Sequence, residues 1–430
     1  MKVNHTLKKS SSINTKMKQL CIHLLPLLFC SGSFFLNAQN YDWELYSIAN
    51  SGLPDNSVRC LAFDNNQKLW IGTDNGMATF DGVIWNIYNT TNTSMTDNSI
   101  RAIHHMEDGT VWIGTTHSGI YKFDGTNWIN YTPVNSGLPD YFIRTITQDS
   151  IGDIWIGTVE GLARFDGTNW QVWTIANAGL NSNNITSIAV GFDNKKYIGT
   201  INGGLIYYDN GSITEYTILE GGIPDNSSIG IVFDDQDNPW FASPSNGLFH
   251  DNGSQNWTSY TMQNSPIMSN GLTSIVVNNQ NEFLLGTQES GIILFTPPNQ
   301  WNNINSTNSL LSDNHILSLI IDSEESVWIG TNSQGLVKMI KNTYSLNEIQ
   351  ENSISIYPNP FNSVIHINSK TEIIDFCITD LTGKTINNIR QTSDNNQLAI
   401  EIITDNLSEG VYILSIRTKL GFEKFKLVKD

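Results

Sequence analysis

Trp70-Ile71-Gly72-Thr73, followed shortly by Gly76, is the first of seven related segments in this chain. The middle Gly or Ala of the segments recurs at intervals of 42, 43, 42, 43, 44 and 44 residues. A strand-like segment with this period, separated by turn residues, is typical of a β-propeller with one blade per repeat. We therefore predict an all-β fold with a seven-bladed β-propeller over residues 39–343. The seven segments are Trp70–Thr73, Trp112–Thr115, Trp155–Thr158, Tyr197–Thr200, Trp240–Ser243, Leu284–Thr287 and Trp328–Thr331.

Each repeat contains four strand-like stretches linked by turns rich in Asn and Gly. In the first repeat we predict strands at about 57–63, 68–73, 76–80 and 84–88, and the run from Val58 to Phe63 is nearly all apolar. A strand packed on both faces by neighbouring blades has this composition.

The last repeat lacks a clear fourth strand. Its first three are expected at about 315–321, 326–331 and 335–340, and the missing one is found at the other end of the chain, in Trp43-Glu44-Leu45-Tyr46. We predict that this N-terminal strand completes the seventh blade, since a closed ring leaves no exposed strand edge.

The beginning of the chain resembles a targeting segment. Lys16 and Lys18 precede an apolar run from Leu20 to Leu36, and a small residue, Ala38, follows. This pattern predicts a signal peptide over residues 1–38, with translation from Met1 or Met17, and no transmembrane segment in the mature chain.

The net charge limits the classes of partner to expect, and the cysteine content limits the possible disulfide and metal sites. The net charge is −18, and it becomes −23 if the five leader lysines are removed, so we expect no nucleic-acid partner. Cys60 and Cys377 remain after the leader, one in each predicted domain, and neither a disulfide framework nor zinc spacing is present.

A second domain follows a polar linker at residues 344–353. Ile354-Ser355-Ile356-Tyr357-Pro358-Asn359-Pro360 opens it, and alternating apolar stretches with Asp380–Lys384 and Ser408–Gly410 turns continue to the end. We predict a small β-sandwich over residues 354–430.

Both domains resemble known families. Gly137-Leu138-Pro139-Asp140, Asp149–Thr158 and Gly161-Leu162 follow the two-component-regulator propeller repeat, with Trp240–Ser243 and Leu284 as the largest departures. Members of that family often form the sensor part of hybrid histidine kinases, but no kinase-like segment is present here. Residues 354–430 resemble the type IX secretion sorting domain of Bacteroidetes. That resemblance implies the type IX machinery as a partner and a secreted or outer-membrane surface-attached protein.

Three arginines are the leading candidates for a ligand site. Arg59, Arg101 and Arg144 occupy one position in the first three repeats, where we align Ser187, Gly230, Ser274 and Ser318 in the other four. They should cluster on one side of the funnel and bind a carboxylate or sulfate. The alternative is that each arginine pairs with a turn carboxylate: Asp55, Asp97 or Asp140.

The remaining polar groups favour structural roles. Asp55, Asp97, Asp140, Asp225 and Asp313 form a predicted ring of turn caps rather than a metal site. Asp234–Asn238 is interpreted as a hairpin turn, so no cofactor is expected, although calcium stays open. His104 and His105 should point to opposite faces of one strand, which disfavours a shared site.

No nucleophile elbow, metalloprotease motif or P-loop is present. We therefore predict a secreted, non-enzymatic propeller that binds a glycan or a surface protein at its funnel. A propeller-based glycan lyase or hydrolase and a structural adhesin remain the alternatives.

Overall fold

A computed structural model describes residues 41–252, 256–342, 354–370, 372–380, 386, 390–393, 399–405, 407–418 and 421–429. The predicted signal peptide at residues 1–38 and the predicted linker at residues 344–353 lie outside these residues. The chain divides into two compact units between Thr343 and Tyr344. Each unit is described by itself below.

The first unit is all-β, and its described residues form seven four-stranded antiparallel sheets, consistent with a β-propeller. Strand β1 (Tyr41–Tyr46) belongs to the seventh sheet, and the others follow in chain order. Sheet 1 contains β2 (Val58–Phe63), β3 (Leu69–Thr73), β4 (Gly76–Phe80) and β5 (Trp85–Tyr88). Sheet 2 contains β6 (Ile100–His105), β7 (Val111–Thr115), β8 (Ile120–Phe123) and β9 (Trp128–Tyr131). Sheet 3 contains β10 (Ile143–Gln148), β11 (Ile154–Thr158), β12 (Leu162–Phe165) and β13 (Trp170–Trp173).

The remaining four sheets follow the same plan, and a short helix, α1 (Ile175–Ala178), precedes the fourth. Sheet 4 contains β14 (Ile185–Val190), β15 (Lys196–Thr200), β16 (Leu205–Asp209) and β17 (Ser212–Tyr216). Sheet 5 contains β18 (Gly230–Phe233), β19 (Pro239–Ala242), β20 (Leu248–Asp251) and β21 (Trp257–Tyr260). Sheet 6 contains β22 (Leu272–Val277), β23 (Phe283–Thr287), β24 (Ile292–Thr296) and β25 (Gln300–Ile304). Sheet 7 contains β26 (Ile316–Ile321), β27 (Val327–Thr331), β28 (Leu336–Lys341) and β1.

The N-terminal strand pairs with the last strand of the unit, as the sequence predicted. Tyr41 faces Lys341 and Tyr46 faces Leu336 in an antiparallel register. Strands β2, β6, β10, β14, β18, β22 and β26 are called the first strands below. Each contacts the first strand of the next sheet, and β26 contacts β2.

The middle glycine of the repeat is explained by this packing. A Cβ atom on Gly114 would lie 2.4 Å from Cγ2 of Ile143, which belongs to the first strand of the next sheet. A Cβ atom on Gly72 would lie 2.7 Å from Cγ2 of Ile100 in the same way. The second strand of each of these sheets therefore approaches the next sheet too closely for any side chain.

The tryptophans of the second strands are core residues. Trp112 and Trp155 are 2% and 1% exposed. The Trp155 indole N–H donates to Asp149 at 2.9 Å, and Trp328 donates to Asp322 at 2.9 Å. A buried indole needs such an acceptor, which explains why Asp precedes Trp by six residues in these repeats.

The second unit consists of two antiparallel sheets over a common apolar core. The core includes Ile365, Ile378, Leu414 and Leu427, each fully buried. One sheet contains β29 (Ile354–Tyr357), β30 (Val364–Ser369), β33 (Ala399–Ile403) and β32 (Arg390–Ser393), in that order. The other contains β31 (Ile373–Asp380), β34 (Gly410–Thr418) and β35 (Gly421–Lys429), in that order.

Candidate functional site

The three candidate arginines occupy β-bulges at the start of the first strands. Val58 faces Thr73 and Cys60 faces Gly72, so Arg59 is an extra residue with no partner across the sheet. The same shift in register places Arg101 and Arg144 at the bulges of β6 and β10. A bulge turns its side chain away from the regular alternation of the strand and is common beside binding sites.

The structure corrects the residues we aligned with these arginines in the other four sheets. Ser187, Gly230, Ser274 and Ser318 instead pair with Gly199, Ala242, Gly286 and Gly330. They correspond to Cys60, opposite the repeat's middle glycine, where a small side chain fits. Our alignment was one residue too far along the chain: each arginine precedes the Trp of its repeat by 11 residues, and the same spacing in the other repeats agrees with the strand register. The true counterparts of the arginines are Thr186, Ile229, Thr273 and Leu317.

Arg59 and Arg101 converge on one carboxylate, Asp74. Arg59 Nε lies 3.0 Å from both Asp74 carboxylate oxygens, and its Nη2 donates to Oδ2 at 2.6 Å. Arg101 Nη2 lies 3.6 Å from Asp74 Oδ1, and Arg101 Nε donates to Thr116 Oγ1 at 2.9 Å. Arg59 therefore binds Asp74 through two of its nitrogen atoms, Nε and Nη2, whereas Arg101 makes one hydrogen bond, to Thr116, and a longer ion pair with Asp74.

Arg144 has the fewest partners of the three. Its Nε atom is buried and has no hydrogen-bond partner among the described residues. Its guanidinium carbon lies 5.1 Å from the centre of the Phe142 ring, and that of Arg101 lies 5.7 Å from the same centre. A shared aromatic ring thus brings Arg101 and Arg144 together. Arg59, Arg101, Arg144, Asp74 and Phe142 are called the arginine site below.

The electrostatics of the arginine site reflect an excess of positive charge. Burial lowers the pKa of Arg101, and the charge of Arg59 lowers it further. Burial likewise lowers the pKa of Arg144, with a further contribution from Arg101. Burial alone would raise the pKa of Asp74, but the hydrogen bonds from Arg59 outweigh it and the net shift is downward. Asp74 is therefore ionised near neutral pH, and this one carboxylate is shared by Arg59 and Arg101 while Arg144 has no ion pair with it.

The turn carboxylates are not the arginines' hydrogen-bonding partners, contrary to the alternative considered above. Asp55, Asp97 and Asp140 each accept the backbone N–H two residues later, at 2.6–2.9 Å. Asp225 and Asp313 do the same. The prediction that this ring caps its own turns is confirmed, because each carboxylate satisfies the local backbone.

The other polar candidates are also accounted for locally. Asp234 accepts N–H groups of Gln236 and Asn238, which confirms the hairpin turn. Burial lowers the pKa of His104 to about 4, so its imidazole is neutral. Burial raises the pKa of the Cys60 thiol to about 12. Within the described residues, no group of three or more His, Cys, Asp or Glu side chains has the geometry of a metal site.

Comparison with known families follows the two units. Residues 52–75, 137–160 and 310–333 match the Two component regulator propeller, and residues 355–430 match the Secretion system C-terminal sorting domain. The chain carries repeats of the two-component-regulator propeller family and a type IX sorting domain. Both resemblances seen in the sequence are confirmed. The sorting domain implies handling by type IX secretion and a cell-surface or secreted location. In the part of the chain described, no helix is long and apolar enough to span a membrane.

Solved structures support the propeller fold. One is the extracellular domain of a protein described as a hybrid two component system of B. thetaiotaomicron. It matches with a TM-score of 0.60 at 18% identity, over 90% of this chain and 54% of that one. PorZ, a surface component of the type-IX secretion system of Porphyromonas gingivalis, has a TM-score of 0.56 at 16% identity, over 90% and 61%. Virginiamycin B lyase of Staphylococcus aureus has a TM-score of 0.56 at 17% identity, over 70% and 99%. At these identities the likeness shows the fold alone, and this chain spans less than two thirds of the first two proteins. No curated protein matches it.

Sequence reasoning found the arginines but missed Asp74, Thr116 and Phe142. Asp74 follows Arg59 by 15 residues, and Thr116 follows Arg101 by the same interval. That constant spacing was the available signal, since it joins the start of a first strand to the end of the strand paired with it.

Proposed function

We propose that this protein is an exported, closed seven-bladed propeller that binds an anionic glycan at the arginine site. The observation that carries the proposal is the imbalance of charge at that site. Arg59 and Arg101 share one carboxylate, Asp74, and Arg144 of the next sheet has an Nε–H with no hydrogen-bond partner among the described residues. Such a cluster in a chain of net charge −18 favours an external anion.

Ring closure is supported by contacts between the ends of the propeller unit. Strand β26 contacts β2, and Ser318 Oγ donates to the Val58 carbonyl at 3.2 Å. The pairing of β1 with β28 ties both ends of the unit into one sheet. A closed ring would hold the first strands around one axis, with the bulge residues at one mouth of the funnel.

The face that carries the arginines also exposes most of the apolar surface. Sixteen large apolar side chains are exposed among residues 41–342 as described, and nine lie in the segments that lead into the first strands, one of them in α1. Exposed apolar groups gathered on one face are typical of a binding surface. A sugar ring can use such groups together with the arginines. The nine are Ile48, Val134, Tyr141, Ile175, Ile218, Leu219, Met262, Met268 and Leu310.

The test is titration calorimetry of the purified full-length protein with three hexasaccharides: hexagalacturonate, a sulfated galactan and a neutral galactan. We expect binding of at least one anionic sugar, weakened by salt, and none of the neutral one. Arg101→Gln should weaken binding at least about tenfold, since a charge-assisted hydrogen bond is removed.

Lys195→Gln is the matched control, because it removes one positive charge at the opposite end of the sheets, beside Asp193. Equal loss in both variants, or equal affinity for neutral and anionic sugars, would refute the proposal. Chromatography of the recovered sugars adds a second readout. Shortened products would assign the enzymatic alternative, a glycan lyase or hydrolase, to the same face.

A further inference from the structure

We infer that Asp74 is a built-in competitor for the arginine site, and that an external oxyanion binds between Arg144 and Arg101. This inference rests on the proposed function and assigns different roles to the three arginines. Arg59 holds Asp74, Arg101 is shared, and Arg144 is available. The ligand is a single carboxylate or sulfate ester carried on a largely uncharged body.

The assignment follows from a graded series of partners. The residue 15 positions after each arginine directly follows the second strand of the same sheet: Asp74, Thr116 and Val159. The first is a carboxylate that binds Arg59 through several hydrogen bonds. The second is a hydroxyl that accepts one bond from Arg101. The third offers no acceptor, which agrees with the lack of a hydrogen-bond partner at Arg144 Nε.

Arg144 Nε is buried, which makes its lack of an acceptor among the described residues informative. A buried guanidinium N–H without an acceptor is unfavourable by about 1–3 kcal/mol or more, so folded proteins rarely keep one. An oxyanion placed beside Arg144 would satisfy that group and also reach Arg101 across the Phe142 ring. Both guanidinium carbons lie within 6 Å of that ring's centre, at 5.1 and 5.7 Å.

The opposite side of the ring of first strands limits the charge of the ligand. At the positions equivalent to the arginines, sheets 4–7 carry Thr186, Ile229, Thr273 and Leu317, which are uncharged and partly exposed. The Thr186 hydroxyl donates to the Ser228 carbonyl, so it is already engaged. A ligand that extends from Arg144 across the funnel therefore meets neutral, partly apolar walls. A polyanion with charge along its whole length would find no second cation there.

Three substitutions test the inference in the full-length protein, with two singly charged probes: the neutral galactan hexasaccharide carrying one sulfate ester, and the same sugar ended by one galacturonate. Val159→Asp gives Arg144 the partner that Arg59 has, and we expect affinity to fall at least about tenfold although every arginine remains. Arg144→Gln should have the same effect. Asp74→Asn removes the competitor and should raise affinity about threefold or more while lowering the melting temperature, because the ion pair with Arg59 is lost.

Val159→Thr is the matched control, since it keeps the shape of valine and adds only a hydroxyl; its affinity should lie between those of the wild type and Val159→Asp. A tighter Asp74→Asn complex in a less stable protein is an outcome that a merely structural Asp74 would not give. Wild-type affinity in Val159→Asp and Arg144→Gln, with Arg101→Gln still weak, would overturn the inference and leave the proposed function intact. Absence of anion binding in the wild type would overturn both. Comparing the monosulfated probe with the galacturonate-ended probe identifies the source of the oxyanion.

Discussion

The contact surfaces between neighbouring sheets, called seams below, differ from the arginine site in how positive charge is paired. At the seam of sheets 3 and 4, Lys196 lies 2.9 Å from Asp149, and the two side chains are only 5% and 1% exposed. The ammonium also lies over Trp155 and Tyr208. At the arginine site, Arg59 and Arg101 share Asp74, and Arg144 Nε has no hydrogen-bond partner among the described residues.

This difference distinguishes charged groups that stabilise the fold through ion pairs from charged groups that are available to bind a ligand. Buried ions in a stable fold are paired, because an unpaired ion loses its hydration without compensation. The Lys196–Asp149 pair follows that rule, whereas the partly exposed Arg144 has a buried Nε–H with no hydrogen-bond partner among the described residues. Residues that break a local rule of stability are the ones for which a functional role is expected.

The largest change in stability that tests this comparison is expected from Asp149→Ala. The change leaves Lys196 buried without its carboxylate and removes the acceptor of the Trp155 indole. We expect the free energy of unfolding to fall by about 3–5 kcal/mol in urea denaturation. Asp193→Ala removes a carboxylate from the more exposed pair with Lys195 and should lower it by no more than about 1 kcal/mol. Similar losses in both variants would contradict the distinction between seam and surface.

A smaller effect is expected where two sheets approach most closely. Gly114→Ala forces a methyl group against Ile143, whose Cγ2 atom would lie 2.4 Å away. Overpacking of this kind destabilises by about 1–3 kcal/mol, which thermal unfolding would detect. Gly271→Ala is the control, because its nearest neighbour lies 3.5 Å away in ordinary contact. If Gly114→Ala is as stable as Gly271→Ala, the seam is looser than its contacts indicate.

The smallest effect on stability is expected from Arg144→Gln. The substitution removes a charge that lacks a carboxylate partner and relieves its repulsion with Arg101. The free energy of unfolding should therefore change by no more than about 0.5 kcal/mol, measured in urea. A loss of several kcal/mol would place Arg144 with Lys196, among the charges that stabilise the fold.

Much of the propeller could be predicted from spacing alone. Predicted strands at 57–63, 68–73, 76–80 and 84–88 correspond to Val58–Phe63, Leu69–Thr73, Gly76–Phe80 and Trp85–Tyr88. The pairing of Trp43–Tyr46 with the last strand was also predicted, since one repeat lacked the strand that the N-terminus supplied. Apolar alternation and turn residues are local signals, and each repeat displays them again.

The sequence by itself determined the repeat, the strands and the three positions where Arg59, Arg101 and Arg144 stand. Only the tertiary structure decided their surroundings. Adjacent first strands bring together arginines that are 42 and 43 residues apart. The bulges decide that Asp74, Thr116 and Val159 occupy the equivalent positions beside them. The spacing of a motif in the sequence shows only the period of the repeat. Strand register, changed by one inserted residue, decides which side chains meet.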